Sequence, residues 1–198
     1  MIAVFAEMLA VSFIAVFLQN SIFERALGVN IILYAARKKE SVVSFSIIIA
    51  YVLAVSSALN YFVNKYFGHI EYYRILMPFF YILIISVVYV ISLILIWAVL
   101  PRLFKKIKGY VHLSVFNVSV IGALFLESNF ETSLTTYLGF GLGTGIGFLL
   151  ACYLLYIAHG RLNSELVPEA FRGIPIMLVY IGIISLSLYA FIGYSTTL

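Results

Sequence analysis

Apolar residues arrive along this chain in six long runs, set apart by short charged clusters. Three of the runs, Val42 to Val63, Ile75 to Leu100 and Gly173 to Leu198, hold no Asp, Glu, Lys or Arg over the ~20 residues that a helix needs to cross a hydrocarbon core of ~30 Å. Thr132 to Ala158 makes a fourth uncharged run. Two more are less clean: Ile2 to Phe23 carries Glu7 near its start, and Tyr110 to Leu126 is shorter and contains His112. The pattern predicts an all-α integral membrane protein with about six transmembrane helices.

Composition sharpens this picture. Of 198 residues, 64% are hydrophobic and 10% charged, so no charged shell is available to cover an aqueous surface. With a mean hydropathy of +1.13 the solvent is lipid, and the chain is expected to form one transmembrane domain over 1–198 without a soluble partner domain. The start lacks a basic leader and a small-residue cleavage site, so the first apolar run is expected to remain as a helix. A net charge of +4, scattered along the chain, does not suggest nucleic acid. One cysteine, Cys152, excludes an internal disulfide and a metal site built from several thiolates of this chain. Its place inside an apolar run favours a small buried hydrophobe over a reactive thiol. His69, His112 and His159 fall singly on different spans and ends, as interface or loop residues rather than metal ligands. No catalytic residue is proposed.

The basic residues read as topology. Arg25, Arg37, Lys38 and Lys39 follow the first run, Arg102, Lys105, Lys106 and Lys108 the third, and Arg161 and Arg172 the fifth. Only Lys65 and Arg74 lie in the second connection, so the odd-numbered connections should face the cytoplasm and both termini the outside. The expected location is the plasma (inner) membrane.

Several places break the simple pattern. Ala26 to Ala36 is apolar but too short to cross, since eleven helical residues rise only about 16 Å. A half-helix or re-entrant piece, with Gly28 as a flexible point and Asn30 as a polar side chain, competes there with an interfacial helix. Asn117 sits in the middle of the fourth span between Ser114 and Ser119 and before Gly122, which fits either an interhelical hydrogen bond or a broken helix lining a site. Glu24 and Arg25 fit a pathway or a charge pair that reaches for the membrane surface. A faint repeat aligns Phe17-Leu18-Gln19-Asn20 with Ser114-Val115-Phe116-Asn117, and Ala26-Leu27 with Ala123-Leu124. Three spans in each half would turn the second copy upside down, a 3+3 inverted repeat over about 1–100 and 110–198 joined by a basic connection at 101–109, with broken helices in spans 1 and 4. Gly139, Gly143 and Gly147 recur every fourth residue, with Gly141 and Gly145 on a neighbouring strip, and predict close helix packing rather than a nucleotide loop.

The stretch Val167-Pro168-Glu169-Ala170-Phe171-Arg172-Gly173, running into an apolar helix that ends near Phe191-Ile192-Gly193, resembles the end of the RnfA and NqrE membrane subunits. These belong to the Rnf and sodium-pumping NADH:quinone oxidoreductase complexes. Asn20 through Gly28 with the basic Arg37-Lys38-Lys39 is similar to that family's first broken helix, and Asn117 to Gly122 to its fourth-helix motif. The resemblance implies a six-helix inverted repeat in which two related, oppositely oriented subunits share a two-iron, two-sulfur cluster, each giving two cysteines. Here the matching positions are Asn30 and Val118, and neither supplies a thiolate. No cofactor bound by this chain alone is therefore expected, although the family implies an iron–sulfur cluster.

Three functions follow from these residues. The preferred one is a scaffold subunit of a redox-driven ion translocase, docked in the bilayer beside a homologous, oppositely oriented subunit or a second copy of itself, with flavin- or iron–sulfur-bearing partners. A small transporter using Asn20, Glu24, Arg25, Asn30 and Asn117 is the alternative, and a purely structural or assembly partner built on the glycine face is the third. The strong charge bias disfavours a dual-oriented homodimer.

Overall fold

A computed structural model of the chain describes residues 2–99, 101–128 and 133–192, with the side chains of 2, 3, 103, 191 and 192 left aside. The far end of the sixth run, from Gly193 to Leu198, and Leu100 and Thr132 at the edges of two others, lie outside the described residues. Among the described residues all regular structure is helical: α1 (Ile2–Phe17), α2 (Val29–Ala35), α3 (Lys39–Phe67), α4 (Tyr73–Val99), α5 (Pro101–Val115), α6 (Val118–Glu127), α7 (Leu134–Leu162), a 3-10 turn at Glu169–Phe171, and α8 (Ile174–Ile192). Helices are what lipid permits, because each satisfies its backbone polar groups within one segment.

Three of these, α3, α4 and α7, are long and apolar enough to cross a membrane unaided, and α5 with α6 makes a fourth span bent by 47° at its break. The shorter apolar helices α1 and α8 occupy the first and sixth runs. Element types recur in order, a helix, a break, a short helix, a 29-residue helix and an outer helix, once from α1 to α4 and again from α5 to α8.

Two boundaries depart from the sequence expectations. The first apolar run does not continue as helix to Phe23, because the chain leaves helical geometry after Phe17 and residues 18–28 form turns. Its side chains stay apolar and buried, Ile22 and Phe23 among them, so hydropathy alone could not mark the stop. The segment 101–109, expected as a basic connection, is the first part of α5. Pro101 occupies the first helical position, where its missing N–H costs nothing. Lys105, Lys106 and Lys108 stay exposed while Ile107, Tyr110 and Val111 pack against the core, an amphipathic division that suits a helix entering the membrane from its surface.

The centre of the bundle is the pair α3 and α7, with α1 on the other flank of α7. The two glycine strips divide this work. A methyl group on Gly143 would lie 2.5 Å from the Ser12 carbonyl of α1, and one on Gly139 2.7 Å from the Met8 carbonyl. On the neighbouring strip a methyl on Gly145 would lie 2.5 Å from Ala50 of α3. Missing side chains let three backbones approach, which in lipid supplies the van der Waals contact that a hydrophobic driving force cannot. Phe45, Ile49 and Leu53 of α3 and Phe140, Phe148 and Cys152 of α7 fill the rest of the core. The outer faces of α4 and α8 are apolar and open, with Ile75, Phe79, Trp97, Ile183 and Leu186 exposed, a surface that suits acyl chains rather than water.

Candidate functional site: two polar islands in an apolar bundle

The first island is where the two helix breaks meet. Asn20 holds the α1 break closed: its Oδ1 accepts hydrogen bonds from the Ile22 and Phe23 N–H groups at 3.0 and 3.3 Å, and its Nδ2 donates to the Val16 carbonyl at 2.8 Å. Asn117 does the same for the second break as the N-cap of α6, accepting from the Ser119 N–H at 3.1 Å. The turns then touch. Ser119 Oγ donates to the Leu27 carbonyl at 2.7 Å, and Gly28 packs so closely on Asn117 that a Cβ there would lie 2.7 Å from Oδ1. Gly28 also has φ +80°, a left-handed conformation that glycine adopts freely. Ser185 of α8 donates to the Phe23 carbonyl and ties the outer helix to the same place. One donor at the junction, Asn117 Nδ2, is buried and has no hydrogen-bond partner among the described residues.

The other sequence candidates fall outside this junction. Glu24 and Arg25 form a 3.3 Å pair with each other on the exposed side of the first break. Asn30 and Val118 sit in the opening turns of α2 and α6 and are both exposed. Neither carries a group that ligates iron as thiolate, and Cys152 is fully buried in α7. The donor set of this chain does not fit an iron–sulfur cluster at the family positions. The Val167 to Gly173 segment forms a loop closed by Arg172, which donates from Nε and Nη2 to the Val167 carbonyl at 3.1 and 2.9 Å and from Nη2 to the Glu165 carbonyl at 3.4 Å. Pro168 leads into the 3-10 turn, Phe171 is exposed, and Gly173, with φ +91°, releases the chain into α8.

The second island was not foreseen. Glu127, the last residue of α6, is completely buried. Ser57 Oγ donates to its Oε1, and Asn60 Nδ2 donates to its Oε2 at 3.1 Å and to the Leu124 carbonyl at 3.1 Å. Asn60 leads to Asn64, whose Nδ2 lies 2.9 Å from Tyr137 Oη and 3.4 Å from Ser128 Oγ, while Tyr73 donates to Asn64 Oδ1 and Tyr81 pairs with Ser128. Asn64, Tyr73, Ser128 and Tyr137 then line a cavity of about 520 Å³ that opens past Gly68, Ile70, Glu71 and Arg74. The sequence did carry a signal, a polar row at Ser57, Asn60 and Asn64 on one side of the otherwise apolar α3. Its meaning depended on Glu127, which falls one residue beyond the fourth apolar run.

Long apolar helices with open hydrocarbon faces, two of the spans broken and their breaks in contact, define an integral membrane protein of helical-bundle type. A family model described as "Rnf-Nqr subunit, membrane protein" matches residues 8–197, and the chain belongs to that family. It is 28% identical over 181 residues to an RnfA-type subunit of the Na(+)-translocating ferredoxin:NAD(+) oxidoreductase complex of Acetobacterium woodii, covering 91% of this chain and 93% of that protein. It is 26% identical over 181 residues to the corresponding subunit of the ion-translocating oxidoreductase complex of Vibrio vulnificus, covering 90% and 93% of the two chains. The counterpart in Histophilus somni is 28% identical over 178 residues, covering 90% of this chain and 91% of that one.

Proposed function

We propose that this chain is the RnfA-type membrane component of a redox-driven, ion-translocating oxidoreductase complex, and that it acts there as a scaffold without an iron–sulfur cluster of its own. The observation that carries the reading is the family match over nearly the whole chain, from residue 8 to 197, in a structure whose two helix breaks meet. Relatives of this length are subunits of such complexes, which supports membrane partners bearing flavin or iron–sulfur groups. The clusterless part rests on the side chains at the family's cysteine positions, Asn30 and Val118. Clustering of basic residues supports placing the first, third and fifth connections in the cytoplasm, in a plasma membrane, with both termini outside. The internal repeat supports an inverted pair of halves and an oppositely oriented homologue as neighbour.

The test is affinity purification of the full chain from its native membrane in mild detergent, with mass spectrometry of what accompanies it and iron and sulfide analysis before and after dissociation. Redox subunits and a homologous membrane subunit should copurify, and the separated chain should hold no iron. A chain recovered alone would defeat the assembly. Stoichiometric iron and labile sulfide on the separated chain, lost in Cys152→Ser, would defeat the scaffold role.

A further inference from the structure

We propose that Glu127 and the side chains around it form a binding site for one monovalent cation, a proton or Na⁺, loaded through the cavity on the side of the bundle that bears Lys65 and Arg74. The inference deepens the reading above and rests on it for the site's place within an ion-translocating complex.

Charge balance is the first argument. A carboxylate taken wholly out of solvent costs several kcal/mol unless a positive charge accompanies it. Among the described residues the one ion pair is Glu24 with Arg25, and no Lys, Arg or His pairs with Glu127. Its neighbours Ser57 and Asn60 are neutral donors. The missing charge must therefore be a proton or a small cation. The second argument is ligand chemistry. Oxygens surround the carboxyl group, from Ser57, Asn60, the Leu124 carbonyl and Ser128, and Na⁺ takes ligands of that kind. No group of three or more His, Cys, Asp and Glu side chains gathers among the described residues, so a site for a transition metal is not offered.

Access is the third argument. The cavity ends on Asn64, Ser128, Tyr73 and Tyr137, and Asn64 Nδ2 lies 3.5 Å from Asn60 Oδ1, which places the carboxyl group one side chain behind the cavity wall. Behind Glu127 the bundle is closed by Leu53, Val120 and Leu124, all fully buried. The polar route is thus open at one end and sealed at the other. A hydrogen-bonding role alone would explain the pairing with Ser57 and Asn60, but not a polar cavity that leads to it. Ionisable groups near the site are few: Tyr61 of α3, Tyr73 and Tyr81 of α4 and Tyr137 of α7, with Glu71 and Arg74 at the mouth.

The experiment treats the full chain, purified into nanodiscs, with the carboxyl-selective, membrane-permeant reagent dicyclohexylcarbodiimide, and locates adducts by peptide mass spectrometry. An adduct on Glu127 at acidic pH that is lost toward alkaline pH shows an exchangeable proton there. Loss of that adduct when choline chloride is replaced by NaCl at fixed pH shows that Na⁺ competes for the same group, whereas labelling indifferent to Na⁺ assigns the site to protons alone. Glu127→Gln should abolish the adduct. If that variant does not fold, the wild-type response to pH and Na⁺ still decides, and Tyr73→Phe at the cavity wall should keep the adduct while changing its rate of formation. A Glu127 that stays unmodified at every pH, with an infrared carboxyl spectrum unmoved by pH and Na⁺, overturns the proposal. Because the chain is tested alone, that result would leave the family assembly standing, and a failure to find redox partners would leave the site standing.

Discussion

The two polar islands of this bundle are built on opposite plans. At the helix breaks, the asparagines Asn20 and Asn117 spend their oxygens on backbone N–H groups two or three residues ahead, so each closes its own turn. At Glu127 the partners come from another helix, Ser57 and Asn60 of α3, and beyond them from α4 and α7. The first plan shapes the backbone and leaves no charge behind. The second holds an ionisable group away from solvent and keeps a cavity beside it. Polarity inside a membrane protein therefore has two meanings here, and the partner's position in the chain separates them.

Replacing Gly28 by Val should break the first island most severely. A β-branched residue is strained at φ +80° and would drive a side chain into Asn117 and Ser119, with a cost of about 3 kcal/mol or more. Equilibrium unfolding in mixed micelles with SDS would measure it, and a loss below about 1 kcal/mol would show that the breaks do not touch as described. Next in size is Glu127→Ala, which strands the donors of Ser57 and Asn60 in a dry interior at about 2 to 3 kcal/mol, against about 1 kcal/mol or less for Glu127→Gln. That split is the sharpest contrast between the islands: an acceptor is needed for stability, whereas the carboxyl group itself is needed only for binding a cation. Equal losses for both variants in the same unfolding assay would mean that the charge-bearing group is itself structural. Asn117→Ala should cost about 1 kcal/mol as a lost N-cap, and because Asn117 Nδ2 already lacks a partner, removing it offsets part of that loss.

The difference in plan also explains what could be read from the chain before folding. Both breaks were legible, because a capping asparagine acts within its own turn and Asn20 and Asn117 interrupt otherwise apolar text. The close face of α7 was legible for a similar reason, since Gly139, Gly143 and Gly147 are spaced by the helix period that brings them onto α1. The early end of α1 at Phe17 was not, because Ile22 and Phe23 stay buried after the helix has stopped and hydropathy does not register backbone geometry. Glu127 was not legible either. Its significance depends on a 70-residue separation from Ser57, and a single acid at the end of an apolar run looks like the start of a loop.

The smallest expected effect runs in the opposite direction and tests whether the first break is a strained device or a relaxed one. Ala26 has φ 55°, the one left-handed residue other than glycine among the described residues, and it stands two positions before Gly28. A Cβ in that conformation costs roughly 1 to 2 kcal/mol, while a glycine there would give back roughly 0.5 to 1 kcal/mol through the greater freedom of the unfolded chain. Ala26→Gly should thus stabilise the fold by about 0.5 to 1 kcal/mol in the SDS titration. Since Ala26 is exposed, little packing is lost to confuse the sign. A stabilised variant that still assembles with its partners would show that the alanine's strain is incidental to the break. One that is stabilised but assembles poorly would show instead that the first broken span shifts when the complex forms, a movement the carboxyl island, tied across three helices, is not built to share.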